Sequence, residues 1–168
     1  NGYIGAVLAP YLIERGIEVR GLDTGYYRDG WLYSDNRHLA VSPETLNKDL
    51  RQVDPADLAG CDAVVHLAEL SNDPLGENNP EVTHKINHGG SVRLAQAART
   101  AGIRRFVYTS SCSVYGAGTG DFLDENATPN PQTAYARCKV LVEKDVGAMS
   151  GADFCPVFLR NATAYGPS

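Results

Sequence analysis

The chain has 168 residues, 43% of them hydrophobic, which is enough for one globular domain, residues 1–168, with its own core. A net charge of −5, with basic residues scattered singly among acids, argues against nucleic acid as a partner. No apolar run reaches the ~18 residues of a membrane span and no signal-peptide pattern is present, so no membrane partner is expected.

Taken in order, Tyr3–Gly16 (YIGAVLAPYLIERG) has helical periodicity through Val7, Leu8, Tyr11 and Leu12, with Pro10 inside and Gly16 as a C-cap. Gly16–Asp23 (GIEVRGLD) reads as a short strand ending in an acid, and Thr24–Pro43 as a long loop. Thr45–Leu50 (TLNKDL) is a weak strand. Asp62–Ala68 (DAVVHLA) is a strong one, entered through a turn at Gly60–Asp62. The stretch SNDPLGENNP is turn-rich and leads into a long helix over Glu81–Ala101 that stops at Gly102. The strand RRFVYTSS follows, then a Gly-, Asn- and Pro-rich loop. A helix over Thr133–Met149 and a last strand, DFCPVFLR, complete the pattern. Strands alternating with helices of this length predict βαβ units and a parallel sheet covered on both faces.

The four cysteines, Cys61, Cys112, Cys138 and Cys155, form no CxxC pair and read as reduced thiols of a cytoplasmic protein. His38, His66, His84 and His88 show no HExxH spacing, so no metal site is assigned.

Two features carry chemistry. "NGYIG" opens a helix, and the strand after that helix ends in Asp23, as in the tail of a glycine-rich dinucleotide fingerprint. Gly2 would admit a pyrophosphate, Gly5 would let the helix pack close to a strand, and the helix N-terminus offers N–H groups to phosphate. Asp23 would accept from both ribose hydroxyls and repel a 2′-phosphate, which favours NAD over NADP. In "TAYARCK", Tyr135 and Lys139 fall one helical turn apart on one face. That spacing suits an aromatic ring with a lysine stem across it, and equally a phenol made more acidic by an ammonium, able to exchange a proton with a hydroxyl.

The motifs GYIG (Gly2, Tyr3, Ile4, Gly5), Asp23, KDLR, VVHLA, KIN, TSSCSVYG, YARCK and LRNATAYGP stand in the order of the extended short-chain dehydrogenase/reductase family. The chain resembles that family, the NAD-dependent nucleotide-sugar epimerases and dehydratases, over essentially its whole length. The resemblance implies a Rossmann-type, doubly wound parallel α/β fold. It also implies that the chain starts after the first strand of such a fold and lacks a C-terminal substrate region, and so is an inactive fragment of a longer enzyme. By resemblance Asp49 and Leu50 flank the adenine, Leu67 and Ala68 line the cofactor, and Asn87 braces the active-site strands beside it. Ser111 hydrogen-bonds the reacting oxygen, Tyr135 exchanges the proton, and Lys139 holds the nicotinamide ribose. The implied activity is epimerisation of a nucleotide sugar through a transient ketone. The alternatives are a dehydratase or ketoreductase of the same family, or a non-catalytic NAD-binding regulatory protein. The family also implies a homodimer built on the helices over 81–101 and 133–149. Four positions depart from its pattern. Cys112 and Ser113 stand where dehydratases carry an Asp-Glu pair, Thr163 stands where an asparagine anchors substrate, and Glu69 stands where a small residue is common.

Overall fold

The computed structural model describes residues 2–26, 42–71, 73–117 and 122–166. Most of the loop expected over Thr24–Pro43, His38 included, lies outside them. They fall into two compact units, Asn1–Leu50 with Ala164–Ser168, and Arg51–Thr163.

The first unit contains helix α1 (Gly5–Ile13) and strands β1 (Arg20–Asp23) and β2 (Glu44–Asn47), which pair in parallel. Gly16 closes the helical segment at φ +77°, the left-handed geometry that glycine adopts without a Cβ penalty. The strand expected over Gly16–Asp23 is shorter because its partner is only four residues long. The Tyr3 hydroxyl donates to the Gly166 carbonyl, which ties the last described residues to this unit.

The second unit is built on a parallel sheet of order β3-β4-β5: Ala63–His66, Arg105–Ser111 and Cys155–Asn161. The register places His66 beside Tyr108 and Ser111 beside Asn161, so the functional stretches follow the carboxyl ends of the strands. The single helix expected over Glu81–Ala101 is α3 (Pro80–Thr83), a π-helical segment (His84–Gly90) and α4 (Ser91–Thr100). Part of the stretch read as turns is a short helix, α2 (Asp73–Asn78), with Pro74 near its start, where a missing N–H costs nothing.

Helix α5 (Ala134–Gly147) is capped by the Thr133 hydroxyl, which accepts from Ala136 N–H at 3.1 Å. Leu94, Ala95 and Ala98 of α4 and Ala136, Cys138, Val142 and Val146 of α5 are buried, as are Phe106 and Tyr108 of β4 and Phe154. Parallel strands linked by packed helices make a Rossmann-type α/β fold.

Candidate active site

In the second unit, three elements converge on Lys139. The first turn of α5 is fixed from outside, because the Glu77 carboxylate of α2 accepts from Ala134 N–H. At Gly76, α2 runs so close that an added Cβ would lie 3.6 Å from Tyr135 Cβ. One turn on, Lys139 is 3% exposed, and its Nζ lies 5.1 Å from the Tyr135 ring centroid and 4.6 Å from that of Tyr108.

The Lys139 ammonium donates to the Thr109 carbonyl at 2.5 Å and lies 2.5 Å from Glu69 Oε2. Both side chains of this ion pair are only 4% exposed. The Tyr108 hydroxyl donates to the other carboxylate oxygen, Oε1, at 2.5 Å. Burial pushes the Glu69 carboxyl up, against the downward pull of Lys139 and of both hydrogen bonds. Burial, with the Glu69 charge added, pushes the Tyr108 phenol up, so it stays a donor. An ammonium has three donors. With two acceptors engaged it retains one, which suits a ribose hydroxyl.

Asn87, fully buried in the π-helical segment, reaches back to the end of β3. Its carbonyl oxygen accepts from Leu70 N–H at 2.9 Å and its amide donates to the Leu70 carbonyl at 3.0 Å. That clamp holds the residue next to Glu69. Leu67 and Ala68 occupy the half-buried stretch between β3 and Glu69.

Ser111 ends β4, two residues beyond Thr109, and its hydroxyl accepts from Ser113 N–H at 3.1 Å. That turn is closed by Gly116 at φ +69°, where a Cβ would lie 2.1 Å from the Asn130 carbonyl oxygen. Cys112 is exposed and lines a cavity of about 570 Å³ with Tyr115, Glu143, Phe158 and Arg160. The Ser113 hydroxyl is buried without a partner among the described residues.

The remaining expected residues, Gly2, Tyr3, Ile4, Gly5, Asp23, Asp49 and Leu50, belong to the first unit. Gly2 has open space where a Cβ would stand, as close approach of a phosphate requires. Asp23 ends β1 with its carboxylate turned back onto Gly25 N–H at 2.6 Å, a part-buried acceptor suited to a ribose diol. In the first unit these donor and acceptor types fit a phosphate and a ribose diol, and in the second the Lys139 donor fits a ribose hydroxyl.

Motif spacing did not identify Tyr108 or Thr109, and it marked Glu69 only as a departure. The available signal was an acid placed directly after an apolar strand, at the end of a parallel sheet where ligands bind.

The profile of the NAD dependent epimerase/dehydratase family matches residues 1–168. Over 99% of its length the chain is 34% identical to a UDP-glucose 4-epimerase of Mycolicibacterium smegmatis, covering 54% of that protein. It is similar to a solved UDP-glucose 4-epimerase of Stenotrophomonas maltophila holding NAD and formylated UDP-arabinopyranose. That match has a TM-score of 0.82 at 27% identity, over 95% of this chain and 49% of that one. A UDP-N-acetylglucosamine 4-epimerase of Methanobrevibacter ruminantium, solved with UDP-N-acetylmuramic acid, matches at a TM-score of 0.83. There the identity is 25%, over 95% of this chain and 51% of that one. The chain thus spans about half the length of the relatives it matches.

Proposed function

Because the chain belongs to the NAD dependent epimerase/dehydratase family, we propose that the protein is an NAD-dependent nucleotide-sugar epimerase. The observation that carries the reading is the Tyr135–Lys139 pair, one turn apart on α5, with its ammonium buried 5.1 Å from the phenol ring. An epimerised nucleotide sugar in the relatives and NAD in the family point the same way.

In this reading the cofactor is NAD, which supplies the hydride acceptor for a sugar carbinol and the donor that restores it. Gly2 to Gly5 and the N–H groups opening α1 hold the phosphates, and Asp23 holds the adenosine ribose. Asp49 and Leu50 flank the adenine, Leu67, Ala68 and Asn87 lie along the cofactor, and Lys139 donates to the nicotinamide ribose. Ser111 donates a hydrogen bond to the reacting sugar oxygen. The Tyr135 phenol oxygen takes the proton of that hydroxyl as the ketone forms and returns it when the ketone is reduced from the other face. Cys112 and Ser113 put no carboxylate beside Ser111, and this favours epimerisation over loss of water. The reading extends to a cytoplasmic homodimer.

The test uses the full-length protein with a panel of nucleotide sugars, the products being separated and identified by NMR. An epimer of unchanged mass supports the reading, whereas a dehydrated or reduced sugar overturns it in favour of the sister reactions. Tyr135→Phe is expected to lower turnover about 10²–10⁴-fold while NAD binding, followed by calorimetry, persists. Near-full turnover in that variant would remove Tyr135 from the mechanism.

A further inference from the structure

The cluster around Lys139 contains an acid that this chemistry leaves unused. Glu69 stands three residues beyond β3 with its side chain 4% exposed, one oxygen on Lys139 and the other on Tyr108. The Asn87 clamp on Leu70 fixes the adjoining backbone, so Glu69 is held in place from both sides. A carboxyl group buried this way has no solvation to recover and stays against Lys139.

We propose that Glu69 is a positioning residue of the Tyr135–Lys139 pair, seating the ammonium beside the Thr109 carbonyl and making the Glu69–Lys139 unit electrically neutral toward Tyr135. The proposal rests on the catalytic reading of Tyr135 and Lys139 given above.

A lone ammonium 5.1 Å from the Tyr135 ring favours phenolate strongly in a poorly solvated site. With a carboxylate 2.5 Å from that ammonium, Tyr135 faces a dipole and not a charge. The cancellation holds whether the shared proton sits on nitrogen or oxygen, because the net charge of the unit is zero in both cases.

The other groups facing the cluster do not replace Glu69. On β3, His66 is neutral, its imidazole lowered to about 3 by burial and by Lys139. On β4, Tyr108 stays protonated. On α5, burial raises the Cys138 thiol to about 11. Glu77 of α2 lies 3.5 Å from Arg137 and is compensated by it. Glu69 is thereby the acid placed to offset the Lys139 charge at Tyr135.

The test compares the full-length protein with Glu69→Gln, which keeps the shape and one acceptor for Lys139, turns an amide donor toward the Tyr108 oxygen, and removes the charge. The Tyr135 titration is read from phenolate absorbance, as the difference between each protein and its Tyr135→Phe counterpart, with urea melts alongside. In Glu69→Gln the midpoint is expected to fall by about one pH unit, and the acid limb of the kcat profile to move with it. Tyr108→Phe, which removes a partner of Glu69 but leaves its charge, is expected to leave the midpoint in place. If Glu69→Gln does not melt cooperatively, Glu69→Asp is read instead, with a smaller shift in the same direction. An unmoved or raised midpoint in a folded variant overturns the role of Glu69. Tyr135→Phe retaining turnover would instead overturn the catalytic reading, so the two failures are distinguishable.

Discussion

His66 illustrates how burial sets the chemistry of one side chain. It is 2% exposed at the end of β3, with Nε2 2.7 Å from the Ser91 hydroxyl oxygen. The Ser91 proton goes to the Asn87 carbonyl. That leaves Nε2–H as the donor, a tautomer assigned from the hydrogen-bond network. Burial first and Lys139 second lower the imidazole from 6.5 to about 3. Between those values the unfolded chain binds a proton that the folded chain refuses. The contribution of His66 is therefore complete above its unfolded value and declines as pH falls, by about 1.4 kcal/mol per pH unit. Urea melts at about pH 7 and about pH 5 are expected to show roughly 2 kcal/mol more loss in the unaltered protein than in His66→Gln. Equal losses in the two proteins would show that another group governs acid sensitivity.

At the scale of elements, the π-helical segment between α3 and α4 has a specific consequence. Its wider turn carries Asn87, whose amide satisfies both backbone groups of Leu70 in irregular chain beyond β3. Asn87→Ala leaves a part-buried N–H and C=O unpaired and is expected to cost about 1–3 kcal/mol in a urea melt. Hydrogen exchange should rise first at Leu70. Asn87→Asp keeps the acceptor for Leu70 N–H but sets a fully buried carboxylate oxygen against the Leu70 carbonyl, so a loss at least as large is expected. If both variants melt like the parent, the clamp is not stabilising. The π-helical segment spans only seven residues, too short a departure from the α repeat to register in the hydrophobic spacing over Glu81–Ala101.

For the molecule as a whole, the acidic balance and the acid at the end of β1 bear on cofactor choice. The Asp23 carboxylate is a part-buried acceptor already oriented by Gly25 N–H, and it would meet a 2′-phosphate with like charge. Asp23→Ser in the full-length protein is expected to weaken NAD binding and to improve NADP relative to NAD about tenfold or more, measured by calorimetric titration of each. An unchanged preference would remove Asp23 from the choice. Among the described residues no helix is long and apolar enough to cross a membrane.

Sequence alone determined what depends on local geometry. Alternating strands and helices, a glycine turn opening a helix, an acid closing a strand, and Tyr135 one turn from Lys139 all follow from backbone periodicity over a few residues. It marked Glu69 as unusual without saying what the residue does. Tertiary structure decided that Glu69 meets Lys139, that Tyr108 and the Thr109 carbonyl complete the cluster, and that Asn87 holds the adjoining backbone. It also decided that His66 is neutral. Those outcomes depend on which distant segments exclude water together, and the cost of burying a charge is set by surroundings that no local stretch of chain contains.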